Sequence, residues 1–342
     1  MTVRPIVLAG AAGFLGSRIA QTTLDRGLTL RAVVRRDVAG EAPWAARAEL
    51  HRLDLSETPE GDADLALDAL LEGAEAVIHA AAAFTGDDRT QARDTVAPTR
   101  RLLAALARRR AQAGTAPRLV LVSSLAVYGY AALPDGAQLD ETTPLEPSPE
   151  RRDAYCRGKL AQEALALSAA QEEGLEIRVV RPGAIVALDR LSTARLGLSL
   201  GGRLATIGPD AALPTVDVDF CARTILAAAL TPVARHEAGP EAGPFEAINL
   251  IDPDPPLRSA HLSRLQETGW PKKIVSLPRK PLRLAATAVS TLGDLWPALP
   301  RRLPGVLRAE SFEARFKPLI WNASRQRALL VAADAAPAEP PA

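Results

Sequence analysis

Tyr155 and Lys159 stand four residues apart, so a helix carrying both presents a phenol and an ammonium group on one face. A free phenol, with a pKa of about 10, is a poor base at neutral pH. An ammonium about 4 Å away would favour the phenolate by about 4 kcal/mol at an effective dielectric near 20, or up to about three pKa units. Upstream, Ser123-Ser124 closes an apolar run, and the Ser124 hydroxyl could hold a substrate oxygen against the phenol. Such a set moves a proton at an alcohol or carbonyl oxygen while a nicotinamide moves a hydride. A third segment, Gly10-Ala11-Ala12-Gly13-Phe14-Leu15-Gly16, supplies the phosphate cradle. It follows the apolar run Ile6-Val7-Leu8 and precedes apolar residues at helical spacing, which reads as strand, glycine turn, helix. Gly10 allows the tight turn, Gly13 lets the backbone approach a pyrophosphate, and Gly16 lets helix and strand pack closely. The amides and dipole at the helix start favour the anion. The spacing differs from the G-x-G-x-x-G of dehydrogenases, and a glycine turn alone is weak evidence. All three segments in this order are strong.

Cofactor choice rests on Val33-Val34-Arg35-Arg36-Asp37, at the end of the second expected strand. An arginine there accommodates the 2′-phosphate of NADP, whereas an acid would bind the ribose diol of NAD. NADP is expected, through Arg35 and Arg36; NAD stays open through Asp37.

These groups need a scaffold. Thr29–Val34, Leu50–Leu55, Ala76–Ala80 and Leu119–Ser123 read as further strands, each a short run suited to burial on both faces of a parallel sheet. Glu176–Arg181 and Phe245–Ile251 read as two later strands of the same sheet. Thr99–Ala113 reads as a helix with Leu102, Leu103 and Leu106 inward, and with Arg100, Arg101, Arg108, Arg109 and Arg110 as a solvated face. The expected fold class is α/β, a doubly wound parallel Rossmann sheet with a smaller C-terminal substrate lobe. Residues 1–181, completed by 216–251, would form the dinucleotide-binding domain. Residues 182–215 and 252–331 would form the lobe over the sheet's carboxyl edge. Residues 332–342, rich in Ala, Pro and acid, read as a disordered tail. Leu282–Trp296 is apolar but interrupted by Arg283 and Asp294, too short and charged to span a bilayer, and reads as a lobe helix.

Composition narrows the classes. With 47% hydrophobic residues, and 41 basic against 40 acidic, the chain suits a soluble globular protein with no nucleic-acid partner. Cys156 and Cys221 suggest neither a disulfide framework nor a metal site, and His51, His79, His236 and His261 show no ligand spacing. Met1-Thr2-Val3-Arg4-Pro5 runs straight into the first strand, without the apolar region of a signal peptide, so a cytoplasmic location is expected.

Over roughly residues 3 to 330 the chain resembles the extended short-chain dehydrogenase/reductase family. That family contains nucleotide-sugar epimerases and dehydratases, 3β-hydroxysteroid dehydrogenases and dihydroflavonol reductases. Beyond the glycine turn, the resemblance lies in Asp54-Leu55, His79-Ala80-Ala81-Ala82 and Ser124 ahead of Val127-Tyr128-Gly129. It continues in Tyr155/Lys159, Arg181-Pro182-Gly183 and Val216-Asp217-Val218-Asp219. It implies Ser124, Tyr155 and Lys159 as the catalytic triad. It also implies dinucleotide contacts from Gly10, Gly13, Phe14, Leu15 and Gly16, and from Asp54 and Leu55 beside the adenine. Ala80, Ala81, Ala82, Pro182, Tyr155 and Lys159 complete those contacts. The chain departs from the family in three places. Thr95 stands where an asparagine often supports the lysine, followed by Pro98 near the first turn of that helix; the closing Leu-Gly-aromatic segment after Ser324-Arg325 is missing. Leu125 and Ala126 replace the extra acid that elimination needs, which argues against dehydration.

The resulting expectation is an NADP-dependent oxidoreductase interconverting a ketone and a secondary alcohol on a fairly apolar small molecule. Arg35 supports it, as do apolar lobe residues Ile185, Val186, Leu188, Leu191, Leu196, Leu198 and Leu200. The alternative is a nucleotide-sugar epimerase with tightly held NAD(P), Arg190, Arg195 and Arg203 gripping a diphosphate. A catalytically silent dinucleotide sensor is opposed by the intact Ser124, Tyr155 and Lys159. The expected partner is a small-molecule substrate, with no metal and no membrane span, and with a homodimer left open.

Overall fold

The computed structural model describes residues 4–38, 40–233, 244–295 and 308–335. The chain opens with β1 (Ile6–Ala9), α1 (Phe14–Asp25), β2 (Leu30–Val34), β3 (Glu49–Arg52), α2 (Glu60–Leu71) and β4 (Ala76–His79). Next, α3 (Asp88–Gln91) runs through a π turn at Ala92–Val96 into α4 (Ala97–Ala113), followed by β5 (Arg118–Val122). Then come β6 (Gln138–Leu139), α5 (Ala154–Glu172), β7 (Ile177–Pro182), β8 (Ala184–Val186), β9 (Leu198–Leu200) and β10 (Arg203–Ile207). β11 (Thr215–Asp217), α6 (Val218–Leu230), β12 (Phe245–Leu250), α7 (Arg258–Gln266) and β13 (Lys273–Leu277) follow. The described chain closes with α8 (Arg279–Leu295), α9 (Ala309–Phe316), β14 (Ile320–Trp321) and α10 (Ser324–Ala335).

Seven strands pair in parallel in the order β12-β7-β5-β4-β1-β2-β3. The winding reverses between β1 and β4, which makes the fold a doubly wound Rossmann sheet, and ligands of such sheets bind beyond the carboxyl ends at that reversal. Alternate residues of β1 explain the two-sided burial. Ile6 and Leu8 pack with Ile19 of α1 and Ile225 of α6. Val7 and Ala9 join the core built with Leu67 and Leu70 of α2 and Leu102 and Leu106 of α4. A smaller group of elements, with the β13-β10-β9 sheet and the β11-β8 pair, follows the main run.

The third strand ends before the expected Leu55. Asp54 breaks it: its carboxylate accepts from the Ser56 amide at 2.8 Å, and its carbonyl accepts from Thr58 at 2.9 Å. The helix expected from Thr99 reaches back through the π turn to Asp88, so Pro98 lies inside a longer helical run. Without an amide on Pro98 to meet the Asp94 carbonyl, the ladder widens there. Residues 332–335 are helical rather than tail, because α10 is tied down: Gln326 bonds both backbone groups of Ile251, and Leu329 enters the core beside α6. The remainder of the expected tail, 336–342, and Trp296 lie outside the described residues. Among the described residues no helix is long and apolar enough to cross a membrane.

Candidate active site

The turn after β1 is built by backbone packed on backbone. Gly10 has φ +90°, and a Cβ there would lie 2.6 Å from the Ala81 nitrogen. A Cβ on Gly16 would lie 2.0 Å from the Gly10 carbonyl oxygen, so neither position admits a side chain. The Ala80 amide donates to Ala9 at 2.9 Å, which brings Ala80-Ala81-Ala82 alongside the turn. Gly13 precedes α1 with no side-chain cap, leaving the first amides at Phe14, Leu15 and Gly16 open to an anion.

At the end of β2, Arg36 pairs with Glu41. Arg35 is exposed and has no hydrogen bond or ion pair among the described residues; the Asp94 carboxyl is held below its usual range by its hydrogen bond from Arg93, to which the Arg35 charge adds a little. Leu55 is buried against α2 and α4, Asp54 stays in its turn, and Pro182 ends β7 fully within the sheet. A nicotinamide dinucleotide fits these residues. Open amides suit its pyrophosphate, the glycine cradle admits its backbone, and an unpaired guanidinium suits a 2′-phosphate.

Ser124 follows β5 directly, and its hydroxyl accepts from the Ala126 amide at 3.1 Å. It lies near the Tyr155 phenol and favours its ionised form. Tyr155 sits in the first turn of α5, where the Asp153 carboxylate caps the helix by accepting from the Cys156 amide at 2.8 Å. One turn on, buried Lys159 sends its Nζ to the Val122 carbonyl at 2.8 Å and to Gln162 Oε1 at 3.0 Å. Nζ lies 5.9 Å from the centre of the Tyr155 ring.

Burial pushes the Tyr155 phenol up to about 12, with Ser124 pulling the other way. Burial pushes the Lys159 ammonium down to about 8, opposed by Glu163. The lysine's hydrogen bonds go to Val122 and Gln162. Beneath the site, Ser123 donates to Glu163, which takes Arg181 at 2.7 Å. Arg181 reaches the Tyr128 hydroxyl at 2.8 Å, and Tyr128 donates to Asn249 at 2.6 Å. The ends of β5, β7 and β12 are locked to the middle of α5 by that chain.

The lobe leucines are placed differently from the expectation. Leu191 and Leu196 pack with Leu204, Leu213, Leu262 and Leu265 into a core of their own. Leu188 and Leu200 are exposed. The three arginines also part company. Arg190 stacks on Phe14 at 4.1 Å, Arg195 donates to the Tyr130 hydroxyl at 2.9 Å, and Arg203 is exposed on β10. Two residues escaped the sequence reading. Phe84, 81% exposed, stands edge-on to Tyr155 with ring centres 5.5 Å apart; its only signal is its closeness to Ala82. Arg315 is half-buried and has no ion pair among the described residues. Burial lowers its pKa, Asp153 opposes, and Arg195 and Arg152 add repulsion.

An uncapped glycine turn at the sheet reversal, with Ser124, Tyr155 and Lys159 brought to the same edge, defines a Rossmann-type nucleotide-dependent fold. Residues 6–192 match the NAD dependent epimerase/dehydratase family, and the chain belongs to that family, within the extended short-chain dehydrogenase/reductases. Cinnamoyl-CoA reductase 2 of Arabidopsis thaliana is 28% identical over 190 residues, 52% of this chain and 53% of its own. Dihydroflavonol 4-reductase of Hordeum vulgare is 28% identical over 203 residues, 53% of each chain. The chain thus spans about half the length of the curated relatives it matches. UDP-glucuronic acid 4-epimerase from Bacillus cereus, in complex with NAD, superposes with a TM-score of 0.63 at 18% identity. That match covers 96% of this chain and 92% of the other. MoeE5 in complex with UDP-glucose and NAD covers the same shares, with a TM-score of 0.60 at 19% identity. These two likenesses establish the fold.

Proposed function

We propose that the protein is an NADP-dependent oxidoreductase that reduces a ketone on a fairly apolar small molecule to a secondary alcohol. The observation that carries this reading is the half-buried phenol of Tyr155 set beside Ser124, with the exposed ring of Phe84 edge-on to it. Bound NADPH would supply the hydride. The new alkoxide then needs a proton, and the neutral Tyr155 phenol would donate it. Ser124 would hold the carbonyl oxygen beside that phenol, and the exposed ring of Phe84 would offer an apolar edge to the substrate. Lys159 would remain an ammonium below its pKa of about 8.

A nucleotide-sugar epimerase is the second reading, and Arg315 favours it. A half-buried guanidinium repelled by Arg195 and Arg152 would gain from a diphosphate. Cofactor stoichiometry separates the two. The enzyme is incubated with NADPH and with cyclic and aryl ketones, a dihydroflavonol, an aryl-CoA thioester and nucleotide sugars, following the nicotinamide absorbance. One NADPH lost per ketone reduced is the expected result. Sugar inversion without added cofactor, together with no turnover of any ketone, would install the epimerase.

A further inference from the structure

We infer that Gln162 is the positioning residue for the Lys159 ammonium, locked in one orientation by a buried chain through Thr99 to His79. This rests on Lys159 belonging to the site proposed above. The donor and acceptor count settles the orientation. Thr99 Oγ1 has one hydrogen, and it goes to the Thr95 carbonyl at 2.8 Å. That oxygen can therefore only accept from its other two neighbours, Gln162 Nε2 at 2.6 Å and His79 Nε2 at 3.0 Å. The amide NH2 of Gln162 must face Thr99, and its carbonyl must face Lys159, 3.0 Å away. A flipped amide would set its N–H groups against the ammonium and its carbonyl oxygen against the Thr99 oxygen, whose one hydrogen is already given to Thr95. His79 must carry its proton on Nε2, which leaves Nδ1 buried without a partner. A neutral ring agrees with its pKa, pushed down to about 3 by burial and then by the Lys159 charge.

Thr95 cannot serve Lys159 through its hydroxyl. That group donates to Gln91 at 3.0 Å and accepts from the Ala83 amide at 2.9 Å. Support for the lysine comes instead from the next turn of its own helix. With Val122 and Gln162 taking two N–H groups of Nζ, one is left over for a ligand. The other titratable and charged groups around it are Tyr155 and Glu163 on α5, His79 on β4 and Arg181 on β7. Glu163 is committed to Arg181 and Ser123.

A measurement on the full chain without added cofactor or substrate tests this. The protein is labelled at lysine 13Cε, and the Lys159 resonance is assigned against Lys272, Lys273, Lys280 and Lys317 by lysine-to-arginine substitution. Each variant is then titrated by NMR. Gln162→Met, which removes the acceptor at similar volume, should lower the Lys159 midpoint by about one to two pH units. Gln162→Glu, which places a carboxylate there, should raise it by about one unit or more. Thr99→Val, which frees the amide to turn, should lower it by less than Gln162→Met and serves if that variant does not fold. A purely structural role would cost stability and leave the midpoint where it is. An unmoved midpoint in Gln162→Glu and Thr99→Val overturns the inference. The test uses no turnover, so a failed ketone assay leaves it standing, and an unmoved midpoint in an active reductase overturns it alone.

Discussion

Replacing His79 by glutamine should flatten the loss of stability that the protein suffers in mild acid. The ring is 1% exposed, and burial, then the charge of Lys159, pushes its pKa from 6.5 down to about 3. Below pH 6.5 the unfolded chain takes up a proton at this ring, whereas the folded protein takes none until about pH 3. The contribution is therefore complete above the unfolded pKa and drains away as the pH falls through this window, at about 1.4 kcal/mol per pH unit. Between pH 7 and pH 5 the wild type should lose about 2 kcal/mol that His79→Gln does not lose. Glutamine keeps an N–H within reach of Thr99 and does not titrate, so the comparison isolates the ring. Urea unfolding of both proteins at pH 7, 6 and 5 gives the numbers. Equal losses in the two would mean that the folded ring titrates normally, and the neutral, Nε2-protonated assignment behind Gln162 would fall.

Tyr155→Phe should keep the fold and the affinity for NADPH while turnover at saturation drops about 100- to 10,000-fold; more than a tenth of wild-type turnover, with chemistry rate-limiting, would refute the phenol's role. Arg35→Ala should weaken NADPH binding by about ten- to a hundred-fold and barely change NADH binding, measured by calorimetric titration of both. Equal losses for the two cofactors would move the 2′-phosphate contact to another residue.

Much of this protein is written in short-range pattern. Ile6-Val7-Leu8 and the other apolar runs identify strands buried on both faces, and such burial implies a parallel sheet between helix layers. Gly10 and Gly16 were legible because only glycine meets contacts of 2.6 and 2.0 Å at a Cβ position. Tyr155, Lys159 and Ser124 were legible because four-residue spacing and the end of a strand each fix a direction locally. What tertiary structure alone decided concerns partners and burial. Arg35 and Arg36 look alike in sequence, and only the fold brings Glu41 to Arg36 and leaves Arg35 unpaired. Leu191 and Leu196 make the lobe apolar in sequence, but hydrophobicity does not say which side of a lobe a leucine faces, and packing with Leu262 and Leu265 puts them in a core. The direction of the Lys159 ammonium was hidden for the same reason. His79, Thr99 and Gln162 come from β4, α4 and α5, and a donor meets its acceptor only once the backbones of separate elements are packed at hydrogen-bond distance. Spacing along the chain sets which side chains share a face; desolvation and pairing, which set their charge, exist only after the faces meet.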